Sequence, residues 1–267
     1  MRTAALSFIG LILACAATRG ASAQGEELNV AAAADLKFAI GELAANFEKQ
    51  TGNKVNVTYG SSGNVFSQIQ NGAPFDLFFS ADVEYAKKLE AGGLAEPGTL
   101  YNYAVGRIVI WMPQGVKVDL NAQGMNALLG AVIQKIAIAN PVHAPYGRAA
   151  VAAIKKSGIY EKVEPKLVYG ENISQAAQFV QSGNAQAGII ALSLAISPAM
   201  KDSGKMWPIP TELHPPIEQA AVVVKSSQKK EAAKAFLGYI ETAAGKAVMD
   251  KYGFATPPAA DAKAKAA

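Results

Sequence analysis

Histidine and cysteine are scarce in this chain. Among 267 residues there are two histidines, His143 and His214, and a single cysteine, Cys15. Cys15 lies within the first 23 residues, so the chain beyond it has no thiol for a disulfide, a thiolate metal site or a cysteine nucleophile. No His-Glu-x-x-His, paired-cysteine or EF-hand spacing occurs, and no Walker A or Gly-x-Gly-x-x-Gly pattern stands at a strand-to-helix turn. Both histidines sit in proline-flanked turns and read as ordinary loop residues. Charge is sparse too: 17% of residues are charged, the formal net charge is +4, and the lysines are dispersed with no basic stripe carrying interleaved aromatics. That excludes a nucleic-acid footprint. Trp111 and most of the tyrosines read as core or rim residues rather than a stacking platform.

The first feature actually present is a leader. Arg2 is followed by an apolar run, Ala4 to Ala17, and then by Ala21-Ser22-Ala23. This predicts a secretory signal peptide over residues 1–23, cut after Ala23. The run is too short for a spanning helix, and no later stretch is long and apolar enough to be one. Ile12-Leu13-Ala14-Cys15 offers an alternative processing site that would leave a lipid anchor on Cys15. Arg2 and Arg19 account for two of the four excess charges, so the exported chain carries +2. Its roughly 240 residues exceed the usual domain size of about 100–150, which predicts two lobes. The alanine- and lysine-rich end, 259–267, is expected to be a disordered tail.

Between leader and tail the pattern is strand then helix, repeatedly. Leu28 to Ala34 is an apolar run, after which Leu36, Ile40, Leu43, Ala44 and Phe47 recur at helical spacing. Strands are expected at Lys54–Tyr59, Asp76–Ser80, Arg107–Met112, Ile136–Ala139, Lys166–Tyr169, Ala187–Ala191 and Ile217–Val224. Helices are expected at Val83–Leu89, Met125–Leu129, Arg148–Lys156, Ile173–Gln181, Lys229–Ile240 and Ala243–Tyr252. Continuous apolar strands separated by helices predict an α/β fold of two βαβ lobes with mainly parallel sheets covered on both faces. The last two helices are expected to pack back on the first lobe. Lobe I then comprises 24–104 and 219–258, and lobe II 105–218.

One stretch, Tyr59-Gly60-Ser61-Ser62-Gly63-Asn64-Val65-Phe66, places two hydroxyls and a glycine between a strand and an amphipathic helix. Ser62 could simply cap that helix. The turn could equally hold an anion, because the first backbone N–H groups of a helix lack intrahelical partners and face the positive end of its dipole. Three other turns are similarly marked: Ala34-Asp35, Pro145-Tyr146-Gly147 and Glu171-Asn172-Ile173. Each lobe contributes two, and ligands of open parallel sheets sit beyond the carboxyl ends of the strands. The pattern predicts a cleft lined by four helix N-termini.

The residues Val30-Ala31-Ala32-Ala33-Ala34-Asp35-Leu36, Ser61-Ser62-Gly63, Gly72-Ala73-Pro74-Phe75-Asp76-Leu77-Phe78-Phe79-Ser80-Ala81-Asp82 and Lys251-Tyr252-Gly253-Phe254 resemble the periplasmic molybdate-binding proteins that feed molybdate/tungstate ABC transporters. Matches run from about Leu28 to Phe254. The resemblance implies a type II periplasmic-binding fold with two or three hinge crossings. It further implies a periplasmic location, a membrane permease as partner and a monomer. No cofactor is implied: the ligand is molybdate or tungstate, bound as an oxyanion through neutral donors with no direct metal-ion ligands. By position, Ser62 matches the family's serine, Tyr146 falls where some members have a ligating tyrosine, and Ile173 corresponds to a backbone N–H donor. Ala34 and Asp35 occupy the first turn, where the family often has serine, or threonine followed by asparagine. Ala191 stands where some members place a tyrosine, leaving Tyr146 to supply a phenolic donor. Asp35 admits two readings, a helix-start residue complementing the dipole or a carboxyl sharing a proton with the ligand, which would favour phosphate-like or arsenate-like ligands. The alternative to molybdate is thus another tetrahedral oxyanion, of phosphate, arsenate or sulfate type. A rival class is an exported hydrolase with Ser62 as nucleophile, although Gly-x-Ser-x-Gly fails at Asn64 and no base is evident.

Overall fold

The computed structural model describes residues 25–257. The expected leader, Cys15 and the tail beyond 258 lie outside the described residues. In chain order the elements are β1 (Glu27–Ala33), α1 (Lys37–Thr51), β2 (Lys54–Gly60), α2 (Ser62–Gln70), β3 (Leu77–Ser80), α3 (Val83–Ala91), β4 (Tyr101–Gly106) and β5 (Ile108–Pro113). Then come α4 (Leu120–Gln123), β6 (Ile136–Ala139), α5 (Pro145–Lys156), α6 (Tyr160–Val163), β7 (Leu167–Gly170), α7 (Ile173–Gln181), β8 (Ala187–Ala191), α8 (Leu192–Ala195), β9 (Gly204–Pro208), β10 (Ile217–Val223), α9 (Lys230–Glu241) and α10 (Ala243–Lys251).

The strands form two five-stranded sheets, in the orders β2-β1-β3-β10-β4 and β7-β6-β8-β5-β9. In the first, β1 runs parallel to β2 and β3, while β10 is antiparallel to β3 and β4. The second repeats the scheme: β6 is parallel to β7 and β8, and β5 antiparallel to β8 and β9. The two-lobed α/β fold expected from the βα alternation therefore holds, with parallel pairing confined to three strands per sheet and antiparallel pairing at the strands next to the crossings. The chain leaves the first sheet at Gly106, joins the second at Ile108, and returns between Pro208 and Ile217.

Period-two burial explains why β1 and β3 of the first sheet read as unbroken apolar runs. Val30 and Ala32 of β1, with Leu77 and Phe79 of β3, face α1 and α9, against Leu36, Ile40, Phe47 and Phe236. Ala31 and Phe78 point the other way, onto Val65 and Ile69 of α2 and Ala86 and Leu89 of α3. Both faces are dry, so alternation of polarity is absent. Two strands escape the sequence reading. β4 carries polar Asn102 and tyrosines, and β9 is an edge strand with no buried residue. Trp111 is fully buried in the second lobe, as expected of a core residue.

Candidate functional site

The β1, β2, β6 and β7 ends and the helices or turns that follow them meet between the sheets. Ala34, Asp35, Ser61, Ser62, Tyr146 and Ile173 line one narrow space of about 10 Å³, room for about one water-sized sphere. All four turns singled out in the sequence thus converge, and all five of Ala34, Asp35, Ser62, Tyr146 and Ile173 are buried. The lobes are in contact across it. His143 Nδ1 meets Ser61 Oγ at 2.8 Å, Gly63 N–H donates to the His143 carbonyl at 3.0 Å, and Asn64 Nδ2 donates to Glu171 at 3.3 Å. Arg148 of α5 pairs with Asp82, which itself caps α3.

Ser62 is the first residue of α2 and is fully buried. Its hydroxyl does not cap the helix; Oγ accepts the Ala81 N–H at 2.9 Å. With that acceptor position filled, the hydroxyl hydrogen remains free to donate into the cavity. Ser61, the residue before the helix, likewise makes no capping bond and spends its hydroxyl on His143. α5 begins with Pro145, whose missing N–H costs nothing in a first turn. α7 is capped by Asn172, which accepts from Gln175 N–H at 3.0 Å. The amides of Ser62, Tyr146 and Ile173 fall in first turns, where no intrahelical acceptor exists. None of the three donates to another group among the described residues. Together with the Ser62 hydroxyl they make a set of neutral donors, and no lysine or arginine among the described residues lines the space.

Tyr146, expected as a phenolic donor to the ligand, has its hydroxyl engaged within the protein. Its hydroxyl donates to Asp35 Oδ2 at 2.9 Å, and Gln219 Nε2 lies 2.8 Å from the same oxygen and 2.9 Å from the phenol. Gln219 is oriented in turn by Tyr103, whose hydroxyl donates to Gln219 Oε1 at 2.7 Å. The cluster presses on the crossing: a Cβ at Gly106 would lie 2.2 Å from Tyr146 Oη, so only glycine leaves room there. The Tyr146 hydroxyl is thus engaged by Asp35 and Gln219, and its backbone N–H has no acceptor among the described residues. Sequence reading could not pair residues 111 positions apart, but Gln219 was a legible signal as the lone uncharged polar side chain in the strand Ile-Glu-Gln-Ala-Ala-Val-Val.

Asp35 does not cap a helix either; it sits in a 3-10 turn, Ala34–Leu36, with no side-chain cap at its start. Its carboxyl is buried, its backbone carbonyl accepts from Ser193 Oγ of the other lobe at 2.8 Å, and Oδ1 has no hydrogen-bond partner. Burial pushes its pKa up from 3.8 to about 6, against the opposing pull of the Gln219 and Tyr146 hydrogen bonds. Burial, and then the Asp35 charge, push both Tyr103 and Tyr146 well above the ordinary tyrosine range, so both stay neutral. A carboxyl raised in the folded state stabilises below its unfolded pKa, and that contribution is lost as pH rises through about 6. Asp35→Asn is accordingly expected to be more stable than the parent at pH 8, by up to about 3 kcal/mol at 1.36 kcal/mol per pKa unit. The gap should close towards pH 4, and thermal melts of both proteins across that range measure it.

A larger groove of about 460 Å³ lies beside the cavity, lined by Asp82, Glu84, Arg148 and Glu218 among others. Its one cation is already paired and its carboxylates are in excess, so it is unsuited to an anion.

Two βαβ lobes joined at a crossing, with helix N-termini of both aimed at one enclosed space, define a two-lobed solute-binding protein. The chain belongs to the bacterial extracellular solute-binding protein family, which it matches over residues 28–255. It is 40% identical over 230 residues to the molybdate-binding protein ModA of Rhodobacter capsulatus, covering 86% of this chain and 88% of that one. It is 39% identical over 248 residues to the molybdate-binding protein ModA of Azotobacter vinelandii, covering 91% and 93%. The solved structure of the Azotobacter vinelandii periplasmic molybdate-binding protein superimposes with a TM-score of 0.81 at 35% identity, over 86% of this chain and 100% of that one. The resemblance carried by the sequence motifs is thereby borne out.

Proposed function

We propose that this chain is an exported solute-binding protein of an ABC importer, and that it captures molybdate or tungstate by closing its lobes and presents it to a membrane permease. The observation that carries the reading is the convergence of neutral donors on one space free of lysine and arginine: the Ser62 hydroxyl and the Ser62, Tyr146 and Ile173 amides, beside Ala34 and Asp35. Hydrogen bonds to a charged acceptor are worth about 1.5–3 kcal/mol each, so a handful holds a dianion without a buried counter-charge. The relatives named above bear the same function in their names and are solute-binding proteins rather than enzymes. A periplasmic location and a monomeric state complete the proposal.

The hydrolase alternative has little support. Ser62 Oγ is occupied by the Ala81 N–H, and the histidine that meets a serine, His143, meets Ser61. The other-oxyanion alternative draws on Asp35, a carboxyl at the cavity wall. Calorimetry of the exported chain with molybdate, tungstate, sulfate and phosphate separates the cases. Saturable one-to-one binding of molybdate and tungstate, with sulfate and phosphate much weaker, is the expected result. Preference for phosphate or sulfate would overturn the proposal.

A further inference from the structure

We infer that Asp35 and the captured oxyanion share one proton, so that the site takes up its ligand together with a proton from solvent. The inference rests on the oxyanion reading above and adds a specificity element to it. Asp35 Oδ2 is already satisfied by two donors, Tyr146 and Gln219, while the fully buried Oδ1 has none. Asp35 also lines the same space as Ser62, Tyr146 and Ile173, whose N–H groups have no acceptor among the described residues.

An ionised carboxylate offers only acceptors, and so does a fully ionised oxyanion. Brought together in this space they would present two like charges and no donor, the arrangement that most strongly favours protonation. A single proton on Oδ1 removes both faults. Oδ1–H then donates to a ligand oxygen while Oδ2 keeps Tyr146 and Gln219. The balance is one proton from solvent per anion bound, with Asp35 passing from −1 to neutral while the anion keeps its charge.

No cation offsets the carboxylate from the elements packed around it. From α5 it faces Tyr146; Arg148 on the same helix is held by Asp82. β10 presents Gln219, with the neighbouring Glu218 exposed in the outer groove, and β4 presents Tyr103 behind it. His143, before α5, is turned to Ser61, and Lys37 beside Asp35 is exposed. The neutral carboxyl is within easy reach, since burial already favours it. A shared proton also discriminates by basicity: sulfate, the weakest base of the tetrahedral dianions considered, accepts such a bond least well.

The test is calorimetry with sodium molybdate at pH 6, 7 and 8, each in two buffers of different protonation enthalpy, on the exported chain and on Asp35→Asn. For the parent, close to one proton is expected to be taken up per anion at pH 8, with affinity falling up to about tenfold between pH 7 and 8. Asp35→Asn places a non-titrating amide donor at the same point, so it should take up no proton and show a flat affinity across the range. No proton uptake and a flat affinity in the parent would overturn the inference, as would uptake that persists in Asp35→Asn. If the variant fails to fold, the proton count of the parent decides alone. Absence of binding to molybdate and tungstate at every pH would instead overturn the functional reading.

Discussion

Ser62→Ala is expected to weaken molybdate binding by roughly ten- to hundredfold. The hydroxyl lines the cavity with its hydrogen free: Oγ accepts the Ala81 N–H at 2.9 Å, whereas the neighbouring Ser61 hydroxyl is engaged by His143. Loss of one hydrogen bond to a charged acceptor costs about 1.5–3 kcal/mol, which is the stated fold-change. A second consequence distinguishes the residue from a simple contact. Alanine leaves the buried Ala81 amide without its acceptor, so the unliganded protein should lose about 1–3 kcal/mol of stability as well. Titration calorimetry reads the first effect and denaturant unfolding the second. Unchanged affinity with reduced stability would assign Ser62 a structural role alone.

Gly63→Ala should act on closure rather than on contact. Gly63 is the second residue of α2 and faces the other lobe at close range: a Cβ there would fall 2.8 Å from the His143 carbonyl oxygen and 2.8 Å from Tyr85 Oη. Tyr85 is a side-chain tip that can swing aside, whereas the His143 carbonyl is backbone of the second lobe. The added methyl therefore presses on the backbone of the second lobe and displaces only the Tyr85 side chain within the first. Overpacking of this kind costs about 1–3 kcal/mol. Since the backbone clash is made across the lobes, affinity should drop between about fivefold and a hundredfold, read by titration calorimetry. Unchanged affinity would contradict the closure argument.

How much of this was legible in the sequence depended on whether partners are near in the chain. β6, β8 and α7 occupy the positions their apolar runs and helical spacing indicate, because local burial sets those patterns. The four turns were legible as well, since capping residues, glycines and a proline mark helix starts whatever lies opposite. Contacts across the cleft were not. Asp35 and Tyr146, Ser61 and His143, and Asp82 and Arg148 are joined only by the closing of the lobes, at separations of 111, 82 and 66 residues. Local chemistry favoured other roles: Ser62 and Asp35 as helix-start residues, His143 as a loop residue. In each case the tertiary partner outcompeted the local option, and the Tyr146 hydroxyl likewise found Asp35, 111 residues away.

The central claim is that neutral donors from helix N-termini of both lobes enclose the anion between them. A crystal structure of the exported chain with molybdate tests it most directly. The account predicts the anion's oxygens within hydrogen-bonding distance of Ser62 Oγ and of the Ser62, Tyr146 and Ile173 amides, beside Ala34 and Asp35, with no lysine or arginine in contact. Molybdate seated in the outer groove against Arg148, or held by a basic side chain, would contradict it.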